Sequence, residues 1–87
     1  MLKISKTQSA HRGMTLHLEG RVVGPWVGEL QQSCESILCE GRSLCLRLAD
    51  VDFLDSEGVM LLRRLRTRGV SLRDSPPFIT ELLRGLD

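Results

Sequence analysis

Between Met14 and Ala49 the apolar residues change period twice, and this change limits the architecture more than any other feature of the 87-residue chain. From Met14 to Val23, Leu16, Leu18 and Val22 share one face, while His17, Glu19 and Arg21 share the other. That alternation predicts a half-buried strand. Gly24-Pro25 interrupts it. Proline suits a first helical position, where a missing N–H costs nothing. Trp26, Val27, Leu30, Cys34, Ile37 and Leu38 then recur at helical spacing, and Gly41 is the expected stop. Ser43 to Ala49 returns to period two, with Leu44, Leu46 and Leu48 opposite Cys45, Arg47 and Ala49.

The rest of the chain extends this alternation. Leu2 to Ser9 reads as a short edge strand, and His11-Arg12-Gly13 as a turn. Asp50 to Leu54 reads as a connection. A second helix is expected from Ser56 to Arg68, with Leu61, Leu62 and Leu65 as its stripe and Gly69 as its stop. Val70 to Arg73 predicts a short strand, and Asp74-Ser75-Pro76-Pro77 a turn. Phe78, Ile79, Leu82 and Leu83 then form the apolar face of a last helix. The predicted order is β-β-α-β-α-β-α, an α/β fold with parallel crossovers. Strands covered on both faces read as continuous apolar runs, whereas both strong strands here alternate. The expectation is a small mixed sheet with helices mainly on one face. Glu19 and Arg47 would lie on the opposite, more polar face and pair if their strands are neighbours, for well under about 1 kcal/mol.

Residues 1–87 are the length of one marginally stable domain. A net charge of +1 argues against a general polyanion binder. One Trp, two Phe and no Tyr are too few for a base-stacking platform. Cys34, Cys39 and Cys45 are odd in number and fit no zinc or redox spacing. They read as reduced, mostly buried thiols in a reducing compartment. No His or carboxylate constellation in the sequence supports a metal, and no cofactor is implied. Met1 to Ser9 lacks a signal-peptide core, and no run reaches membrane-spanning length. The expectation is a cytoplasmic protein.

The chemistry-bearing segment is Val51-Asp52-Phe53-Leu54-Asp55-Ser56-Glu57-Gly58-Val59. Asp55 suits a helix N-cap, and Glu57 suits the positive end of the helix dipole. Gly58 is a poor helix former and implies close packing. Ser56 has no catalytic apparatus nearby. The only histidines are His11 and His17, and the frame lacks the first glycine of Gly-x-Ser-x-Gly. An enzyme is not expected. A phosphate on Ser56 would meet the positive helix end, with Asp55 and Glu57 repelling it.

The run LRLADVDFLDSEGVMLLRRL resembles the signature of STAS domains, the family of bacterial anti-anti-sigma factors. LHLEGRVVG is similar to that family's second strand and its glycine, and SPPFITELL to its last turn and helix. The resemblance implies a regulatory protein that binds an anti-sigma factor which is also a serine kinase. Ser56 would then be the phosphoacceptor, with Asp55 before it and Gly58 closing the motif. The contact would comprise Leu54, Asp55, Ser56, Glu57, Gly58 and Val59, with Leu54 and Val59 as apolar flanks. This sequence departs from the pattern at Glu57, which replaces a second hydroxyl, and at Arg47, where members often carry Asp or Asn. Arg47 could pair with Asp55, Glu57 or a phosphate, or face solvent. The chain ends at Asp87, where most members continue with a strand and helix, leaving a sheet edge suited to a homodimer. The alternative function is a constitutive interaction or oligomerisation module without a phospho-switch. A third is an enzyme or ligand-binding domain using the same helix start for an anion.

Three further features read as ordinary structure. Arg63, Arg64, Arg66, Arg68 and Arg73 form a solvated face near a helix C-terminus. Trp26 is a core or rim anchor, and His17 is an exposed strand residue.

Overall fold

The computed structural model describes residues 2–8 and 12–84. Strand β1 (Leu2–Gln8) runs antiparallel to β2 (Met14–Val22), from Leu2 opposite Gly20 to Gln8 opposite Met14. Ser9 and His11 of the predicted strand end and turn lie outside the described residues. Helix α1 (Pro25–Cys39) leads to β3 (Leu44–Leu54), parallel to β2. Helix α2 (Ser56–Thr67) leads to β4 (Ser71–Arg73), parallel to β3. Helix α3 (Pro77–Arg84) follows. The mixed sheet has the order β1-β2-β3-β4.

This order explains why one face is covered. The two crossovers step in the same direction, from β2 to β3 and from β3 to β4. Right-handed crossovers stepping one way place their helices on the same face. Leu16, Leu18, Leu44, Leu46 and Leu48 of the strands accordingly join Leu30 and Cys34 of α1, Leu61, Leu62 and Leu65 of α2 and Ile79 of α3 in one buried cluster. A helix of 12 residues is marginal in water on its own. Each fully buried leucine contributes about 2 kcal/mol, so the three leucines of α2 carry its stability more than its intrinsic propensity does.

The predicted order holds, but β3 is longer than expected. Asp50 to Leu54 is strand rather than connection. The register against β2 shifts twice, between His17 and Glu19 and again between Gly20 and Arg21. Each shift spends one extra residue on β3, as a β-bulge does. Ala49-Asp50 and Asp52-Phe53 are therefore exposed in succession, and Leu48, Val51 and Leu54 are buried at intervals of three. The strand continues while its period of two is lost. Gly20, at φ 103°, supplies the backbone freedom at the second shift.

The register of β2 against β3 also rules out the expected Glu19–Arg47 pair. It sets His17 opposite Arg47 and Glu19 opposite Asp50. Glu19 instead lies 3.7 Å from Lys3, and Arg47 Nε donates to Asp74 at 3.1 Å. The cysteines are less buried than predicted: Cys34 is buried, Cys45 half-buried and Cys39 exposed. The last helix begins at Pro77 rather than Phe78. It buries Ile79 and Leu83 but leaves Phe78 and Leu82 exposed.

Candidate functional site

The segment from Leu54 to Val59 lies where β3 hands over to α2. The strand ends at Leu54, and Asp55, still extended at φ −88° and ψ −178°, caps the helix that follows. Its Oδ1 accepts the Gly58 N–H at 2.8 Å, the expected N-cap bond. Its Oδ2 accepts the Gly24 N–H at 2.9 Å. One carboxylate therefore joins the starts of α1 and α2, two elements more than thirty residues apart. The amide bonds from Gly24 and then Gly58 hold the Asp55 carboxyl below its ordinary value, since both favour the ionised form.

Gly58 is the second fixed point. A Cβ there would lie 2.6 Å from the Val22 carbonyl oxygen, which also accepts the Asp55 N–H at 3.3 Å. The first turn of α2 rests directly on the backbone at the end of β2. Close approach is the reason for this glycine, as the sequence implied.

Ser56 and Glu57 are exposed on the first turn. Leu54 reaches the surface only where it helps to line a groove beside this turn. It is 5% exposed and belongs to the core. Val59 is half-buried against that core. The exposed apolar surface comes instead from Met60 at 54% and Leu82 at 43%. With Ser56 and Val59 they line a groove of about 580 Å³ between α2 and α3. The sequence signal for this groove is Met60, an apolar residue off the Leu61/Leu62/Leu65 stripe.

Arg63 closes the far part of the groove. Its Nη2 donates to the Leu82 and Leu83 carbonyls at 3.2 and 3.0 Å, and Arg66 reaches the Leu83 carbonyl at 3.4 Å. These guanidinium groups satisfy carbonyls that a helix end leaves without partners. Arg68 bonds Glu35. Much of the arginine cluster is thus spent within the fold. Arg47, engaged by Asp74, does not pair with Asp55 or Glu57. Trp26 is half-buried at the edge of the core.

Among the described residues, no helix is long and apolar enough to cross a membrane. The sheet does gather a set of donors that spacing along the chain did not reveal: His17, Glu19 and Asp50. His17 Nε2 lies 2.7 Å from Asp50 Oδ2, so this histidine is not an unpartnered surface residue.

No protein-family model matches the chain, and no curated protein matches its sequence. Solved structures do resemble it in shape. The anti-sigma factor antagonist SpoIIAA, in its unphosphorylated form, superposes with a TM-score of 0.76 at 17% identity, over 94% of this chain and 82% of its own. A protein named Mglu matches with a TM-score of 0.64 at 23% identity, over 86% of this chain but only 20% of its own. An uncharacterized DUF3478-family protein with a SpoIIAA-like fold, from Shewanella loihica PV-4, gives 0.59 at 13% identity, over 88% and 69%. The β-β-α-β-α-β-α chain, with its four-stranded mixed sheet and three helices, has the STAS fold seen in SpoIIAA.

Proposed function

We propose that this chain is an anti-anti-sigma-type regulatory protein, which binds an anti-sigma factor that is also a serine kinase. It does so through the Asp55–Val59 turn and the groove beside it, and Ser56 accepts the phosphate that ends the complex. The observation that carries this reading is the placement of Ser56. The residue is exposed and held on a doubly anchored helix start, at the mouth of an apolar groove that a partner's side chains can fill. Similarity of fold to an anti-sigma factor antagonist supports it.

The electrostatics support a switch acting on the partner rather than on the fold. The Asp55 carboxylate already occupies the anion position at this helix start. A phosphate on Ser56 would stand between it and Glu57 as a third negative group. Repulsion would push it outward, toward a bound partner. The second reading, a constitutive interaction module, is favoured by one observation: Glu57 already places a fixed negative charge beside Ser56.

One experiment separates the two. Wild type and Ser56→Asp are used as baits in a lysate of the source organism, and retained proteins are identified by mass spectrometry. The switch predicts a kinase-like anti-sigma factor on wild type alone. The same factor on both baits favours the constitutive module. No retained protein on either bait argues against both.

A further inference from the structure

The open face of the sheet holds a cluster unrelated to the Ser56 turn. His17 and Glu19 are two apart on β2 and so point to the same side. Asp50 joins them from β3 because of the first bulge. A regular register would have set Ala49, a methyl group, opposite Glu19; the inserted residue sets Asp50 there instead. The imidazole nitrogen and the two carboxylate oxygens all lie within 4.8 Å of one another. The His17 side chain is 33% exposed and is held by Asp50 at 2.7 Å.

We propose that His17, Glu19 and Asp50 form a binding site for a divalent transition-metal ion of the Zn²⁺ and Co²⁺ class. One imidazole with two carboxylates is a borderline donor set. It lacks the thiolates that select soft ions, and its imidazole distinguishes it from all-oxygen magnesium and calcium sites. Two carboxylates and a neutral imidazole also balance the charge of a divalent ion. Ligand bonds of about 2.0–2.2 Å place neighbouring donors roughly 3 Å apart. Rotation of the half-buried Glu19 and the exposed Asp50 side chains would close the widest gap. Three protein ligands leave coordination positions open to water. Two cations border the site. Lys3 lies 3.7 Å from Glu19 and competes for it, whereas Arg47, opposite His17, is engaged by Asp74. The bound ion would clip β2 to β3 at the bulge and raise the melting temperature by mass action.

The test uses the tag-free chain carrying Cys39→Ser and Cys45→Ser, because the exposed Cys39 and half-buried Cys45 thiols are competing soft ligands. Zn²⁺ is titrated by calorimetry and Co²⁺ by its visible absorption. The expected result is saturable binding of a single ion and a rise in melting temperature with Zn²⁺. His17→Asn and Asp50→Asn should each weaken binding by about tenfold or more, since even the loss of a ligand's supporting group costs that much. If either variant fails to fold, Glu19→Gln, which leaves the His17–Asp50 pair in place, must show the same loss. Absence of saturable binding, or affinity unchanged in the folded variants, overturns the proposal.

Discussion

Gly58→Ala is a sign test of how α2 is seated. Alanine is a better helix former than glycine by about 1 kcal/mol, so helix propensity alone predicts a more stable protein. The packing predicts the opposite. The new Cβ would lie 2.6 Å from the Val22 carbonyl oxygen and 3.3 Å from Val22 Cγ1, and backbone oxygen cannot rotate away. Relief requires the first turn of α2 to lift off β2, which stretches the 3.3 Å bond from the Asp55 N–H to the same oxygen. Overpacking of this kind costs about 1–3 kcal/mol. Set against the propensity gain, the net loss is about 0–2 kcal/mol, or up to roughly 16 °C in melting temperature for a domain this small. Gly28→Ala is the matched control. Gly28 is exposed on α1, and a Cβ there meets nothing within 4 Å. It should gain about 0.5–1 kcal/mol. Urea and thermal unfolding of both variants decide the matter. A Gly58→Ala protein more stable than wild type, as Gly28→Ala should be, refutes the seating argument.

Three other outcomes are expected. The Asp55 carboxyl is held below its ordinary value of 3.8, so its contribution is complete above that pH and is lost as pH falls through the lower folded value. In acid unfolding Asp55→Asn should therefore show a flatter loss of stability than wild type below about pH 4; identical curves count against the double anchor. Burial, reinforced by the Glu35 charge, pushes the Cys34 thiol up from 9.0 to about 12. Its contribution is present below pH 9 and is lost as pH rises toward 12. A thiol reagent at neutral pH should modify Cys39 first and Cys34 only on unfolding; fast labelling of Cys34 in the folded protein would contradict its burial. Arg63→Met removes the two bonds to the α3 carbonyls. It should cost about 1–2 kcal/mol and accelerate hydrogen exchange in α3 more than in β2 and β3. Uniform acceleration would mean that Arg63 does not tie α3 down in particular.

The architecture was legible because most elements keep a single period. The leucines of β2, the Trp26–Leu38 face and the Leu61/Leu62/Leu65 stripe each name their inward side without any neighbour. The N-cap role of Asp55 was legible too, because its partner Gly58 lies three residues away. Where a bulge intervened, local reading failed. Buried spacing changes to three at Leu48, Val51 and Leu54, so the second half of β3 resembled a loop. The α3 face failed for another reason. Phe78 and Leu82 have the same chemistry as Ile79 and Leu83, and only the position of α2 decides which pair is covered.

The sequence by itself determined the order of elements, the inward face of each strong strand and the local cap, because those depend on contacts within one turn or on a period of two or 3.6. Only the tertiary structure decided that Asp55 also holds Gly24 and that Gly58 rests on Val22. It also decided that His17 and Glu19 meet Asp50 and that Met60 and Leu82 share a groove. Each of these unites residues from different elements. Their meeting depends on strand register and crossover direction, which follow from how whole faces are buried together and not from any single stretch of residues.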